Sequence, residues 1–269
     1  MKLDYGTQLS PYPIALSIGS IRKPKLKDIS DSAKGMSFDK FNYYLVFIKM
    51  TPEKFYTEIQ GQKDYWNFLP EEHIQNITLF DVILKEESLQ KLYVDILNFF
   101  FLETVIFEQG MFILLKSQFD TTKKIRKEDI TGIIKKDLFF KILDIIQQIC
   151  CVKDFEEDIS KEPFKNNIAK KLFMKIRKAK KEEKAKRKLD INLTMPNIIS
   201  SLANKHPSLN CVNIWDITVF QLYDSFEKIR INTIFDIDSR RISIWGDKNK
   251  SFDPNLWYKN NYDKKGQSF

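Results

Sequence analysis

Apolar positions along this chain recur mostly three and four residues apart, so the sequence reads as a succession of helices broken by a few short extended segments. Phe38, Phe41, Leu45 and Ile48 share one helical face behind Ser37, whose hydroxyl can cap the first turn. Thr51-Pro52-Glu53 opens another helix, with proline at the first position, where its missing N–H costs nothing. Thr78 and Asp81 form a capping box ahead of Val82 and Ile83. The strongest pattern is Leu92, Tyr93, Ile96, Leu97, Phe100 and Phe101, a stripe broad enough for a central core helix. Leu138, Ile142, Ile145, Ile146 and Ile149 predict a second buried helix that ends at Cys150 and Cys151.

Extended segments are fewer. Ile14 to Ile21 is short, rich in Ile and Leu and bounded by Pro13 and Pro24, which predicts an initial strand. Val105 to Leu115 is β-branched and aromatic and is split by Gly110, so it reads as a strand pair or a bent strand. Arg241 to Trp245 alternates like a strand before Gly246. Between these, Thr194 and Pro196 open a helix through Ile198, Ile199 and Leu202, closed by Asn204 and His206-Pro207. Asn213 is placed as the cap of a longer helix whose face carries Trp215, Val219, Leu222, Phe226 and Ile229, with Asp216 answering the cap. The fold class expected is mainly α with a small β component (α+β), a helical core with a few short strands.

Composition supports that class, because 22 Phe supply buried area while 8 Gly and 9 Pro leave few sites for irregular backbone. The net charge of +8 is local. Lys165 to Lys188 holds 12 basic residues against Glu182 and Glu183, a balance of +10, so the remaining residues together carry −2. That run is rich in helix formers, but after Ile176 nothing larger than alanine can bury until Leu189. It therefore predicts a solvated connector, and the expected domains are a mainly helical one over 1–163, the basic connector over 164–190 and a C-terminal helical one over 191–269. Lys180, Lys181, Lys184, Lys186, Arg187 and Lys188 form the candidate polyanion site, because clustered cations release counterions from phosphates. No aromatic interleaves them, which removes the stacking platform of single-strand binders and makes nucleic acid the lesser expectation.

Signs of chemistry are sparse. No two glycines lie within a dozen residues, which argues against a phosphate-cradling loop. The two histidines, His73 and His206, stand far from any paired-cysteine pattern, and adjacent Cys150 and Cys151 with a third cysteine favour reduced thiols in the cytoplasm. Asp236 and Asp238, with Asp247 and Asp253 downstream, could share Mg²⁺, since carboxylates two apart on a strand point the same way, although the turn expected between the helix ending near Ile231 and the strand at Ile242 and neutralisation by Arg240 and Arg241 compete with that use. The expectation is no catalytic residue, no cofactor and no metal. Neither Ile14 to Ile18 nor the charge-interrupted window Leu92 to Leu115 has the length of a signal core or a membrane span. The segment from Ser251 to Tyr262 carries four aromatics too close together to bury one another, so it must dock on its own domain or on a partner.

Six stretches resemble tail assembly chaperone-like proteins from the tail-gene region of phages and prophages of low-GC Gram-positive bacteria. They are Leu16–Pro24 (LSIGSIRKP), Phe99–Phe107 (FFFLETVIF), Asn197–Ser201 (NIISS), Lys205–Ser208 (KHPS), Trp215–Leu222 (WDITVFQL) and Phe252–Tyr262 (FDPNLWYKNNY). None has a chemical mechanism attached. The resemblance implies a non-enzymatic protein of the bacterial host cytoplasm that binds the tape-measure protein, or another tail protein, and keeps it soluble during tail assembly; a structural tail subunit is the alternative within that class. A helical binder can receive an apolar helical face, and Trp215, Phe220, Trp257 and Tyr258 are the candidate partner contacts.

Overall fold

The computed structural model describes residues 2–120, 122–152, 193–247 and 251–258. Two units emerge: residues 1–153 together with 213–269, and residues 154–212. The protein is mainly α with short antiparallel strands, as the hydrophobic periodicity predicts.

In the larger unit, helix α1 (Tyr5–Leu9) precedes a tight hairpin of β1 (Ile14–Leu16) and β2 (Gly19–Ile21). The single strand expected over Ile14 to Ile21 is thus folded on itself at Ser17 and Ile18. Short helix α2 (Leu26–Ile29) leads to α3 (Phe38–Ile48), where Ser37 accepts the amide of Lys40 as its cap. The buried positions of α3 are Phe41, Tyr44, Phe47 and Ile48; Leu45 is only half-buried, so the face is rotated slightly from the one predicted. Helix α4 (Pro52–Lys54) runs into a π-helical turn, Phe55–Ile59. After α5 (Lys63–Phe68) and α6 (Glu71–Asn76), α7 (Leu79–Lys85) starts at the expected box, with Thr78 donating its amide to Asp81 at 2.9 Å.

Helix α8 (Glu87–Phe100) is the central one, and it delivers the chain to a three-stranded antiparallel sheet of β3 (Thr104–Glu108), β4 (Met111–Leu115) and β5 (Ile130–Ile134). The β3–β4 turn uses Gln109 and Gly110, both at positive φ, the pairing that matches a two-residue turn to strand twist. Strand β5 was not legible, because Ile130-Thr-Gly-Ile-Ile is brief and interrupted by glycine. Helix α9 (Lys136–Ile149) follows and buries Phe139, Ile142, Leu143, Ile145, Ile146 and Ile149.

Phe80 of α7, Tyr93 of α8, Phe112 of β4 and Phe139 of α9 pack ring on ring at centroid separations of 5.3 to 6.2 Å, joining three helices to the sheet. Such pairs add to the area they bury. The hydroxyl of Tyr93, inside this cluster, donates to the carbonyl of Phe47 at 2.6 Å, and burial raises its pKa. At the cluster's edge Lys136 pairs with Asp81 at 2.8 Å. Burial works against that carboxylate, but hydrogen bonds from Lys136 and Thr78 hold it below its ordinary pKa.

The helix expected behind Asn213 starts later. Ile214–Asp216 is a single 3-10 turn, and the long helix, labelled α11 here (Val219–Trp245), is capped by Thr218 with Gln221 answering it at 2.9 Å. The cause is a backbone bridge to the N-terminal region: Leu26 donates to Ile217 O at 3.0 Å and Val219 donates to Pro24 O at 3.0 Å. Those bonds hold Ile217 extended, so helix can only begin beyond it. They also lie within the unit that groups residues 213–269 with residues 1–153.

The expected strand Arg241 to Trp245 is instead the last turns of α11. Two alternating isoleucines over five residues fit either structure, and with no Gly or Pro between 219 and 245 the hydrogen-bonded ladder from Thr218 runs on until Gly246, at φ +76°. In the smaller unit, helix α10 (Met195–Lys205) buries Met195, Ile198, Ile199 and Leu202, as its spacing predicts. The basic run Lys165 to Lys188 and the expected loop Glu156 to Pro163 lie outside the described residues.

Two substitutions test this packing. Tyr93→Phe should cost about 0.5–1.5 kcal/mol by urea denaturation, because it removes a buried hydrogen bond to the Phe47 carbonyl, which keeps the amide of Met50 as a donor. A Cβ on Gly132 would lie 2.4 Å from that of Ile18 and 2.8 Å from its backbone, so Gly132→Ala should destabilise by about 1–3 kcal/mol; a smaller loss would mean the β1–β2 hairpin is free to move off β5.

Candidate interaction surface

Helix α11 changes character along its length. Its first half is anchored: Tyr5 donates to Asp224 at 3.0 Å, Gln221 donates to Leu9 O at 2.8 Å, and Val219, Phe220, Leu222 and Ile231 are buried. Burial, reinforced by Asp224, pushes the Tyr5 phenol up to about 12. Beyond Ile231 no residue of the helix is buried. From there to Trp245 the helix continues for roughly 20 Å at its standard rise.

That second half is not a polar surface. Ile237 is 62% exposed, Ile244 72% and Trp245 76%, with Ile234 also in the exposed class. Ile234, Ile237, Arg241 and Ile244 follow each other at steps of three, four and three, which lines them along one side of the helix, with Trp245 flanking. An isolated exposed isoleucine needs no explanation, but a helical stripe of them is the mark of a contact surface. Arg230, Arg240 and Arg241 border it, and Arg241 pairs with Asp238 at 3.2 Å.

The aromatic segment partly returns to this helix. Asp247 accepts the amides of Ser251 and Phe252, each at 3.0 Å, and the Phe252 ring packs on Phe235 of α11 at 5.5 Å. Those amide bonds, that of Phe252 foremost, hold the Asp247 carboxyl below its usual range. Trp257 and Tyr258 meet edge to face at 4.9 Å and remain 52% and 56% exposed. The segment thus docks through Phe252 and presents its next two large rings to solvent.

The four partner contacts expected from sequence separate accordingly. Trp257 and Tyr258 are exposed, and Trp215 is half-buried in the 3-10 turn before α11. Phe220 is 1% exposed and packs 6.3 Å from the ring of Tyr5, so it is a core residue and offers nothing to a partner. Sequence reasoning missed Ile234, Ile237 and Ile244, because the expected turn and strand hid their helical spacing. The candidate polyanion residues Lys180, Lys181, Lys184, Lys186, Arg187 and Lys188 lie outside the described residues.

Asp236 and Asp238 also change role. On a helix, positions two apart diverge by roughly 200°, so these carboxylates cannot converge on one ion as they would on a strand. Among the described residues no group of three His, Cys, Asp or Glu gathers as a metal site. His206 works as a turn acceptor, its Nδ1 taking the amides of Ser208 and Leu209 at 3.1 Å. Burial, and then neighbouring Cys151, raise the Cys150 thiol well above its ordinary pKa. No described helix is long and apolar enough to cross a membrane.

The described residues therefore define an α+β protein whose longest helix ends in an unburied apolar stripe. Residues 180–262, less than half of the chain but including all of α11, are similar to the family model described as the YomV second domain, a phage- and prophage-associated family. No curated protein and no solved structure matches the chain.

The hold of Asp247 on the aromatic segment is present above the usual carboxylate range and is lost as pH falls through its lowered value. In Asp247→Ala the amides of Ser251 and Phe252 should exchange faster than in wild type at neutral pH, and this difference should close in acid. Equal protection at neutral pH would show that Phe252 packing alone holds the segment.

Proposed function

We propose that this is a non-enzymatic phage protein that binds another protein through the distal half of α11, and that it acts in tail morphogenesis as a chaperone for the tape-measure protein. One observation carries the binding reading: Ile234, Ile237, Ile244 and Trp245 stand unburied along one helix. Covering a large apolar side chain is worth roughly 1.5–3 kcal/mol, so four of them supply a useful association energy even after the cost of ordering two chains.

The partner that fits is an amphipathic helix. A helix lies along another helix through an apolar stripe at this spacing, and Arg230, Arg240 and Arg241 favour acidic residues at the edges of the incoming one. Long tape-measure proteins consist of such helices, and the tail-gene resemblance of Trp215–Leu222 and Phe252–Tyr262 supports the choice. The similarity over 180–262 supports the phage setting and is silent on the partner.

Co-expression with a phage tape-measure protein provides the test. The wild-type chain should co-purify with it and raise its soluble fraction. The double variant Ile237→Asp, Ile244→Asp should lose capture by roughly tenfold or more while its own melting temperature stays within about 2 °C, since both positions are exposed. Capture that is unaffected by the double variant would remove this surface from the reading, and no capture by wild type would remove the chaperone assignment.

A further inference from the structure

A second concave feature lies among α2, α3 and α8. It is a cleft of about 300 Å³ whose walls include Arg22, Asp28, Lys34, Lys40, Tyr44 and Asp95, with the ring of Phe99. That is the lower end of the size range of small-molecule sites.

Tyr44 is the telling residue. It is 4% exposed, yet among the described residues its hydroxyl makes no hydrogen bond to protein. Tyr93, which is fully buried, gives its hydroxyl to Phe47 O, which is what a buried phenol ordinarily does. The cleft that Tyr44 lines can supply the missing partner. Burial, and then Asp95, raise its pKa, so it is a protonated donor at neutral pH.

The surrounding charges narrow the ligand. Arg22 bonds the Phe99 carbonyl through Nε and Nη2 while its guanidinium lies 5.4 Å from the Phe99 ring centroid, and Nη1 has no acceptor among the described residues. Lys40 gives one proton to Gly35 O at 3.0 Å and lies 5.8 Å from the Tyr44 ring, with two protons left. Lys34 pairs with Asp31, and Asp28 accepts the Lys25 amide. Asp95 makes no hydrogen bond or ion pair among the described residues.

With Lys34 neutralised by Asp31, Arg22 and Lys40 face Asp28 and Asp95, two cations against two carboxylates. A polyphosphate would meet Asp28 and Asp95 as well as the cations, and a simple anion would leave Asp95 unanswered. A ligand with one charge of each sign satisfies both walls.

We propose that this cleft binds a free α-amino acid, its carboxylate held by Arg22, Lys40 and the Tyr44 hydroxyl and its ammonium by Asp95. The site is independent of the helix stripe.

The test is thermal shift on the full chain with the 20 standard L-amino acids, one at a time, followed by calorimetry on any that stabilise. At least one should raise the melting temperature saturably at millimolar concentration, whereas acetate and ethylammonium, each carrying half of the charge pair, should not. Tyr44→Phe removes a hydroxyl without a protein partner, and Asp95→Asn alters an exposed group, so both should melt as wild type when unliganded. Each should weaken amino-acid binding by roughly tenfold or more. The proposal fails if no amino acid shifts the protein up to about 10 mM, if the shift survives both variants, or if inorganic phosphate binds more tightly than every amino acid.

Discussion

The arrangement depends on a few backbone hydrogen bonds between segments nearly two hundred residues apart. Leu26 to Ile217 and Val219 to Pro24 splice the chain after α10 onto the chain before α2. Backbone pairing of this kind satisfies donors and acceptors that could not be buried otherwise, and it is indifferent to side-chain identity. It decides that Thr218 is the cap, and with that the point from which α11 is counted. Lys27 and Asp216, 2.6 Å apart but both well exposed, decorate the splice and contribute little.

The rest of the larger unit makes that splice possible. Lys23 is 4% exposed and donates to the carbonyls of Thr7 and Ser10, so its ammonium closes α1 over the segment that carries Pro24. Burial lowers its pKa, and the two carbonyls are what make its burial tolerable. Strand β2 in turn leans on the residues that follow α8, where Arg22 donates to Phe100 O at 2.7 Å and Leu102 to Ser20 O at 3.1 Å. The aromatic cluster around Tyr93 and Phe139 fixes α8, and α8 fixes β2. The chain from the central core to the start of α11 is therefore continuous.

A helix anchored at one end and longer than the core beneath it must leave the far end uncovered. In α11 that end is apolar where a solvated helix would be polar, and Phe252 closes over only part of it. Stability alone does not call for Ile237, Ile244 and Trp245 at such exposure, since they contribute nothing to the monomer's interior. Their placement is what the proposed binding of a second chain would use.

Much of the architecture was legible in the sequence because local rules suffice for it. The caps at Ser37 and Thr78, the stripes of α8, α9 and α10, and the split of Val105 to Leu115 at Gly110 are all decided within a few residues of themselves. Within the helix expected behind Asn213, the start was decided at a distance, and the strand expected over Arg241 to Trp245 was misread. Nothing local favours Thr218 over Asn213 as a cap, and five alternating residues cannot distinguish an exposed helix end from a strand. The cleft was illegible for the same reason: Arg22, Tyr44 and Asp95 come from three separate segments. Sequence determined which residues are helical and which are oily, because periodicity and capping are short-range properties. Tertiary structure alone decided which oily residues remain uncovered, because that depends on where Pro24 and Leu26 meet Ile217 and Val219.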